Sequence, residues 1–70
     1  MNKAEYSRAV AKAINSPIFY EGEGDARYQN FLRCDALGNA CNAVESPEEL
    51  RPDMRKLFEE AVKAFDAAMA

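Results

Sequence analysis

The sequence has no histidine, and only two cysteines, three glycines and three prolines in 70 residues. Each shortage removes a class of function. Without histidine, the usual general base is missing, and so is the commonest nitrogen ligand for a metal. Cys34 and Cys41 alone cannot complete a structural zinc site within one chain, and seven residues is not a zinc-knuckle spacing, so no metal or cofactor is expected. Catalysis would have to rest on carboxylates or a thiol. Glu48-Glu49 and Glu59-Glu60 are adjacent pairs whose side chains would point about 100° apart on a helix, so they do not converge on one substrate. Both cysteines fall on an apolar stripe, where burial leaves a thiol inert. The chain therefore reads as non-enzymatic.

Long hydrophobic runs are missing too. None approaches the length of a transmembrane helix, and the opening MNKAEYSRAV is not a signal peptide, so no membrane contact and an intact cytoplasmic chain are expected. Positive charge is not in excess: nine basic against twelve acidic residues give a net charge of −3. A nucleic-acid surface needs a basic patch, and no helix presents one, which weighs against a helix-turn-helix regulator. The acids alternate with Lys and Arg, as on solvated helix faces.

What is present is apolar periodicity. With 49% hydrophobic residues the chain is not a disordered one, yet seventy residues lie near the lower limit for a single core. Nearly every large apolar residue must go inside, or a second subunit must cover the remainder. No repeat, low-complexity segment or linker divides residues 1–70, so one domain is expected.

The strongest element is PDMRKLFEEAVKAFDAAM, residues 52–69. Met54, Leu57, Phe58, Ala61, Val62, Phe65 and Met69 share one stripe of roughly 140° on a helix. Arg55–Glu59, Lys56–Glu60 and Glu59–Lys63 are opposite-charge i,i+4 pairs on the other side. A first helix over residues 2–15 begins with Asn2 and Glu5 in capping-box positions and stops before Pro17. A second, over residues 25–44, places Phe31, Cys34, Leu37, Gly38, Cys41 and Val44 on one face if it runs through Gly38. There the missing side chain would let a neighbouring helix approach closely. Ser46-Pro47-Glu48-Glu49 has the S-x-x-E capping pattern with proline at the first helical position, giving a short turn before Pro52 starts the last helix. The fold class expected is all-α: a three-helix bundle with a short extra helical turn before the last helix. Its expected core is Val10, Ile14, Phe31, Cys34, Leu37, Cys41, Leu57, Phe58, Val62 and Phe65.

Pro17 to Gly24 is the stretch without periodicity. Ile18 and Phe19 either plug the end of the bundle or anchor a partner. Here alone aromatics sit beside acids and glycines, which nominates Phe19, Tyr20 and Tyr28 as partner-binding anchors and Glu21, Glu23 and Asp25 as an acidic rim facing a basic partner surface. Glu21-Gly22-Glu23-Gly24 is not a phosphate loop, because its carboxylates repel phosphate and no Lys-Ser/Thr follows. The function expected is a small protein-binding module. Its style is that of the accessory or inhibitory proteins by which phages and other mobile elements dock on a larger host complex. A self-associating homodimer without a separate target is the alternative.

Overall fold

The computed structural model describes all 70 residues and contains helices only. Helix α1 spans Lys3–Ile14, α2 Asp25–Asn42 and α3 Pro52–Met69, with single 3-10 turns at Pro17–Phe19 and Pro47–Glu49.

Local chemistry sets the boundaries. At the start of α1 the capping box closes: Asn2 Oδ1 accepts from the Glu5 amide at 2.8 Å, and Glu5 Oε1 accepts from the Asn2 amide at 3.0 Å. Gly24, with φ +58°, turns the chain into α2, and Pro52 supplies the first residue of α3. Helix α2 passes through Gly38 unbroken and stops at Asn42, two residues earlier than the apolar stripe suggests. An added Cβ at Gly38 would stand 3.6 Å from Ile14 Cγ2, an ordinary contact, so the approach of α1 does not demand glycine there. The expected box at Ser46 forms differently. Glu49 Oε2 accepts from the Glu45 amide (3.0 Å) and from Ser46 Oγ (3.2 Å), and the serine side chain caps no backbone amide.

Two contacts fix the register of α1 against α2. The Tyr6 hydroxyl meets the Cys41 carbonyl, and Cys34 Sγ meets the Ile14 carbonyl, so the helices run antiparallel. Against α3 the order is parallel: Tyr6 packs on Phe58 with ring centroids 6.1 Å apart, and Lys12 pairs with Asp66 at 2.9 Å. Of the three charge pairs expected within α3, Arg55–Glu59 forms, at 3.7 Å. The α1–α3 seam is the most extensive helix contact, and Ala13 and Ala61, both fully buried, let helices come close.

The molecule is flat, 37 × 27 × 16 Å, little thicker than one helix of ~10–12 Å with its side chains. Only eleven residues are therefore buried, and the nine hydrophobic ones form one cluster: Tyr6, Ala13, Phe19, Leu37, Cys41, Leu50, Leu57, Phe58 and Ala61. Leu37, Cys41, Leu57 and Phe58 are where their periodicity puts them. Val10, Cys34 and Val62 are half-buried at its edge, and Ile14 and Phe65 are half-buried without joining it. Phe31 is not in the core at all, being 61% exposed. The reason is a mismatch of lengths. Helix α1 ends at Ile14, level with Cys34, and Pro17 then turns the chain. Residues 25–33 of α2, two and a half turns, extend past the end of α1 with no helix of the chain opposite them.

Candidate functional site

The overhanging half of α2 carries the molecule's densest set of exposed large apolar side chains. Tyr28, Phe31 and Leu32 are 58%, 61% and 39% exposed, and Tyr20 beside them is 52% exposed. On a helical wheel Tyr28 and Leu32 lie on the side away from Cys34, Leu37 and Cys41, whereas Phe31 is about 60° from Cys34, at the edge between the two sides. Helix α2 thus has two apolar faces: one packs on the core along its second half, and the other meets water along its first half.

Beneath this face the chain is held firmly. Gly22 and Gly24 adopt φ +88° and +58°, which bring the loop back onto the helix, and Asn30 Nδ2 donates to the Glu21 carbonyl at 2.9 Å. The Tyr20 hydroxyl donates to the Ile14 carbonyl at 3.2 Å, fixing its ring at the end of α1. The Arg27 guanidinium lies 5.7 Å from the centre of the Tyr20 ring, and Arg33 lies 5.9 Å from that of Phe19. Tyr20 and Phe31 stand on the walls of a shallow groove of about 340 Å³ whose floor includes Ile14, Cys34 and Gly38.

The residues singled out from the sequence divide here. Phe19 is 1% exposed: it closes the end of the core, with Arg33 over its ring, and so is not part of the exposed face. The first 3-10 turn packs against both α2 and α3, so an aromatic pointing inward from it has nowhere to go but the core. Tyr20, Glu21, Glu23, Asp25 and Tyr28 are all exposed, on the loop and the first turn of the overhang. Phe31 and Leu32 are exposed beside them, Phe31 on the Cys34 edge of the helix but at a level that no other helix reaches. The signal that finds it is the length of α1 relative to α2, not the pattern within α2.

No ion pair forms on the overhanging half of α2. Lys12–Asp66, Arg51–Asp53 and Arg55–Glu59 are the three ion pairs of the molecule, and all lie elsewhere. Glu21, Glu23, Asp25 and Asp35 have no cationic partner, while the two local cations, Arg27 and Arg33, are laid over aromatic rings.

Reactive chemistry is sparse. Cys34 and Cys41 are both free. Burial, with Asp35 beside it, pushes the Cys34 thiol up, and burial does the same to Cys41, so neither is an activated thiolate. A larger hollow of about 460 Å³ lies between the start of α1 and the end of α2, with Tyr6, Val10 and Cys41 in its wall. Size alone favours it, but chemistry does not: the Tyr6 hydroxyl is committed to a backbone carbonyl, and burial holds the phenol protonated, with its pKa pushed up to about 12. No cluster of three or more Cys, Asp or Glu side chains could hold a metal ion, and no helix is long and apolar enough to cross a membrane. Comparison with protein-family models, with curated proteins and with solved structures finds no match to this chain.

Proposed function

We propose that this chain is a non-enzymatic protein-binding module that docks through the overhanging half of α2, with Tyr28, Phe31 and Leu32 as its apolar contact and Tyr20 at its edge. One observation carries the reading: these side chains are exposed on the half of α2 that no other helix covers, so they add little to folding and are available to a partner. Aromatic side chains of this kind dominate interface energetics when a partner desolvates them. In its fuller form the proposal is an accessory or inhibitory protein that works in the cytoplasm by attaching to a larger complex.

The test compares tagged wild-type chain with Tyr28→Ala and Phe31→Ala for retention of proteins from host lysate, quantified by mass spectrometry and set against melting temperature. Loss of a specific retained protein with unchanged melting supports the proposal. Retention that survives both substitutions in a folded protein overturns it.

A further inference from the structure

One stripe of α2 is arranged symmetrically about Phe31. Arg27 stands four residues before it and Asp35 four residues after, while Gly24 and Gly38 stand seven residues to either side. On a helical wheel Arg27, Asp35 and Gly38 all lie within about 40° of Phe31, so they share its side of the helix. The stripe thus runs from a positive side chain through an aromatic one to a negative one. Arg27, Phe31 and Asp35 are all exposed, and neither charge belongs to an ion pair of the chain.

Such a stripe complements itself when reversed. Two copies of α2 laid antiparallel about Phe31 bring each Arg27 level with the other copy's Asp35, with the two phenyl rings meeting at the two-fold axis. Gly38, which the approach of α1 does not require, comes level with Gly24 of the other copy and lets the backbones draw close. Arg27 keeps its charge while lying over the Tyr20 ring, and its N–H groups are free to meet a carboxylate. Other pairings lose the match. A centre at residue 30 sets Arg27 level with Arg33 and Asp25 level with Asp35, and parallel pairing sets each charge against itself, both unfavourable.

The chain also has surface to give. It exposes 4834 Å², about a tenth more than the roughly 4,400 Å² of a compact monomer of 7.8 kDa. The half of α2 that carries Phe31 has no helix opposite it, and a second α2 running antiparallel supplies one.

We propose that the chain pairs with a second copy of itself through this stripe, as a two-fold dimer with Phe31 at the axis and an Arg27–Asp35 ion pair on either side. This goes beyond the docking role of the same half-helix, since it needs no separate target. Phe31 serves both contacts, so the paired and target-bound forms exclude one another. A contact confined to this stripe is small and belongs with weak, reversible complexes, which makes pairing concentration-dependent.

Sedimentation equilibrium of the purified full chain, from low micromolar to millimolar concentration, tests it. The expected result is a reversible monomer–dimer equilibrium. Phe31→Ala, Arg27→Asp and Asp35→Arg should each weaken pairing by about tenfold, with helicity and melting of the dilute monomer unchanged. Each charge reversal alone sets like charges level across the axis. An equimolar mixture of Arg27→Asp with Asp35→Arg sets opposite charges level again and should pair as tightly as wild type, which a purely structural role of either residue would not produce. A chain that stays monomeric up to millimolar concentration, a dimer indifferent to Phe31→Ala, or a mixture no more associated than either variant alone overturns the proposal. A monomeric chain that still retains a lysate protein through Phe31 overturns the dimer and leaves the docking role standing. A dimer lost with Phe31→Ala and restored in the mixture, with no lysate protein retained, supports the dimer and overturns the docking role.

Discussion

The Tyr6 hydroxyl donates a 2.8 Å hydrogen bond to the Cys41 carbonyl, joining the first turn of α1 to the last turn of α2. That carbonyl is one of the last four of α2, which have no following helical amide; the amide that would have served it, on Glu45, is taken by Glu49 Oε2. Tyr6 is therefore a C-terminal cap supplied from another helix. Tyr6→Phe keeps the ring packed on Phe58 but leaves the carbonyl unpaired, and should cost about 1–3 kcal/mol in denaturant unfolding.

The same phenol makes stability sensitive to alkali. Burial, and after it the Cys41 neighbour, raise its pKa from 10.0 to about 12. A group raised in the folded state contributes fully below its unfolded pKa and loses that contribution as pH climbs through its folded pKa. Melting temperature should thus fall between pH 10 and about 12, on top of any contribution from the thiols of half-buried Cys34 and buried Cys41. Tyr6→Phe should show a shallower fall and lose the ultraviolet phenolate step at about pH 12.

Phe19 and Phe31 are the same residue type in opposite situations, 1% and 61% exposed. Phe19→Ala should destabilise by about 3–5 kcal/mol, enough to unfold much of a domain this size. Phe31→Ala should change stability by no more than about 0.5 kcal/mol. Thermal melting of the two variants side by side decides the matter, and equal losses would contradict the overhang.

The α1–α3 seam holds by packing, not by charge. Phe58→Ala should cost about 3–5 kcal/mol. Lys12→Ala, which removes the ion pair to Asp66, should cost at most about 1 kcal/mol, because both side chains are roughly half exposed. Urea unfolding curves of both variants measure the contrast.

Gly22 and Gly24 are not equivalent. Both have positive φ, but a Cβ on Gly22 would also stand 3.0 Å from Ala26 Cβ, whereas one on Gly24 meets nothing within 4 Å. Gly24, at φ +58° and ψ −127°, lies outside the left-handed helical region, so Gly24→Ala should cost about 1–3 kcal/mol from backbone conformation alone, and Gly22→Ala adds the contact with Ala26. Equal melting shifts would mean that the loop moves away from α2 without penalty.

Periodicity is enough to place all three helices, because each carries its own signals: Asn2 and Glu5 at the first, Pro52 and the Met54–Phe65 stripe at the last. It is also enough to put Leu37, Cys41, Leu57 and Phe58 inside. It fails at Phe31 because a wheel records which side of a helix a residue is on, not whether another helix reaches that level. It underrates Tyr6, whose burial depends on meeting an unpaired carbonyl thirty-five residues away, and Leu50, which lies in an irregular turn. Within the candidate site, aromatics beside acids mark Tyr20, Glu21, Glu23, Asp25 and Tyr28 as surface, while the inward turn of Phe19 is visible only once the end of the bundle is built.

Because residues 25–33 extend past α1, their helical hydrogen bonds are guarded by little besides the Pro17–Tyr20 turn and the Asn30 anchor. This segment is the part of α2 that can open without the core opening, and its amides should exchange with solvent ahead of those near Leu37 and Cys41. It follows that the face can be rewritten residue by residue while the fold stays above its stability threshold. Side chains on this face are then free to vary far faster than the scaffold that displays them.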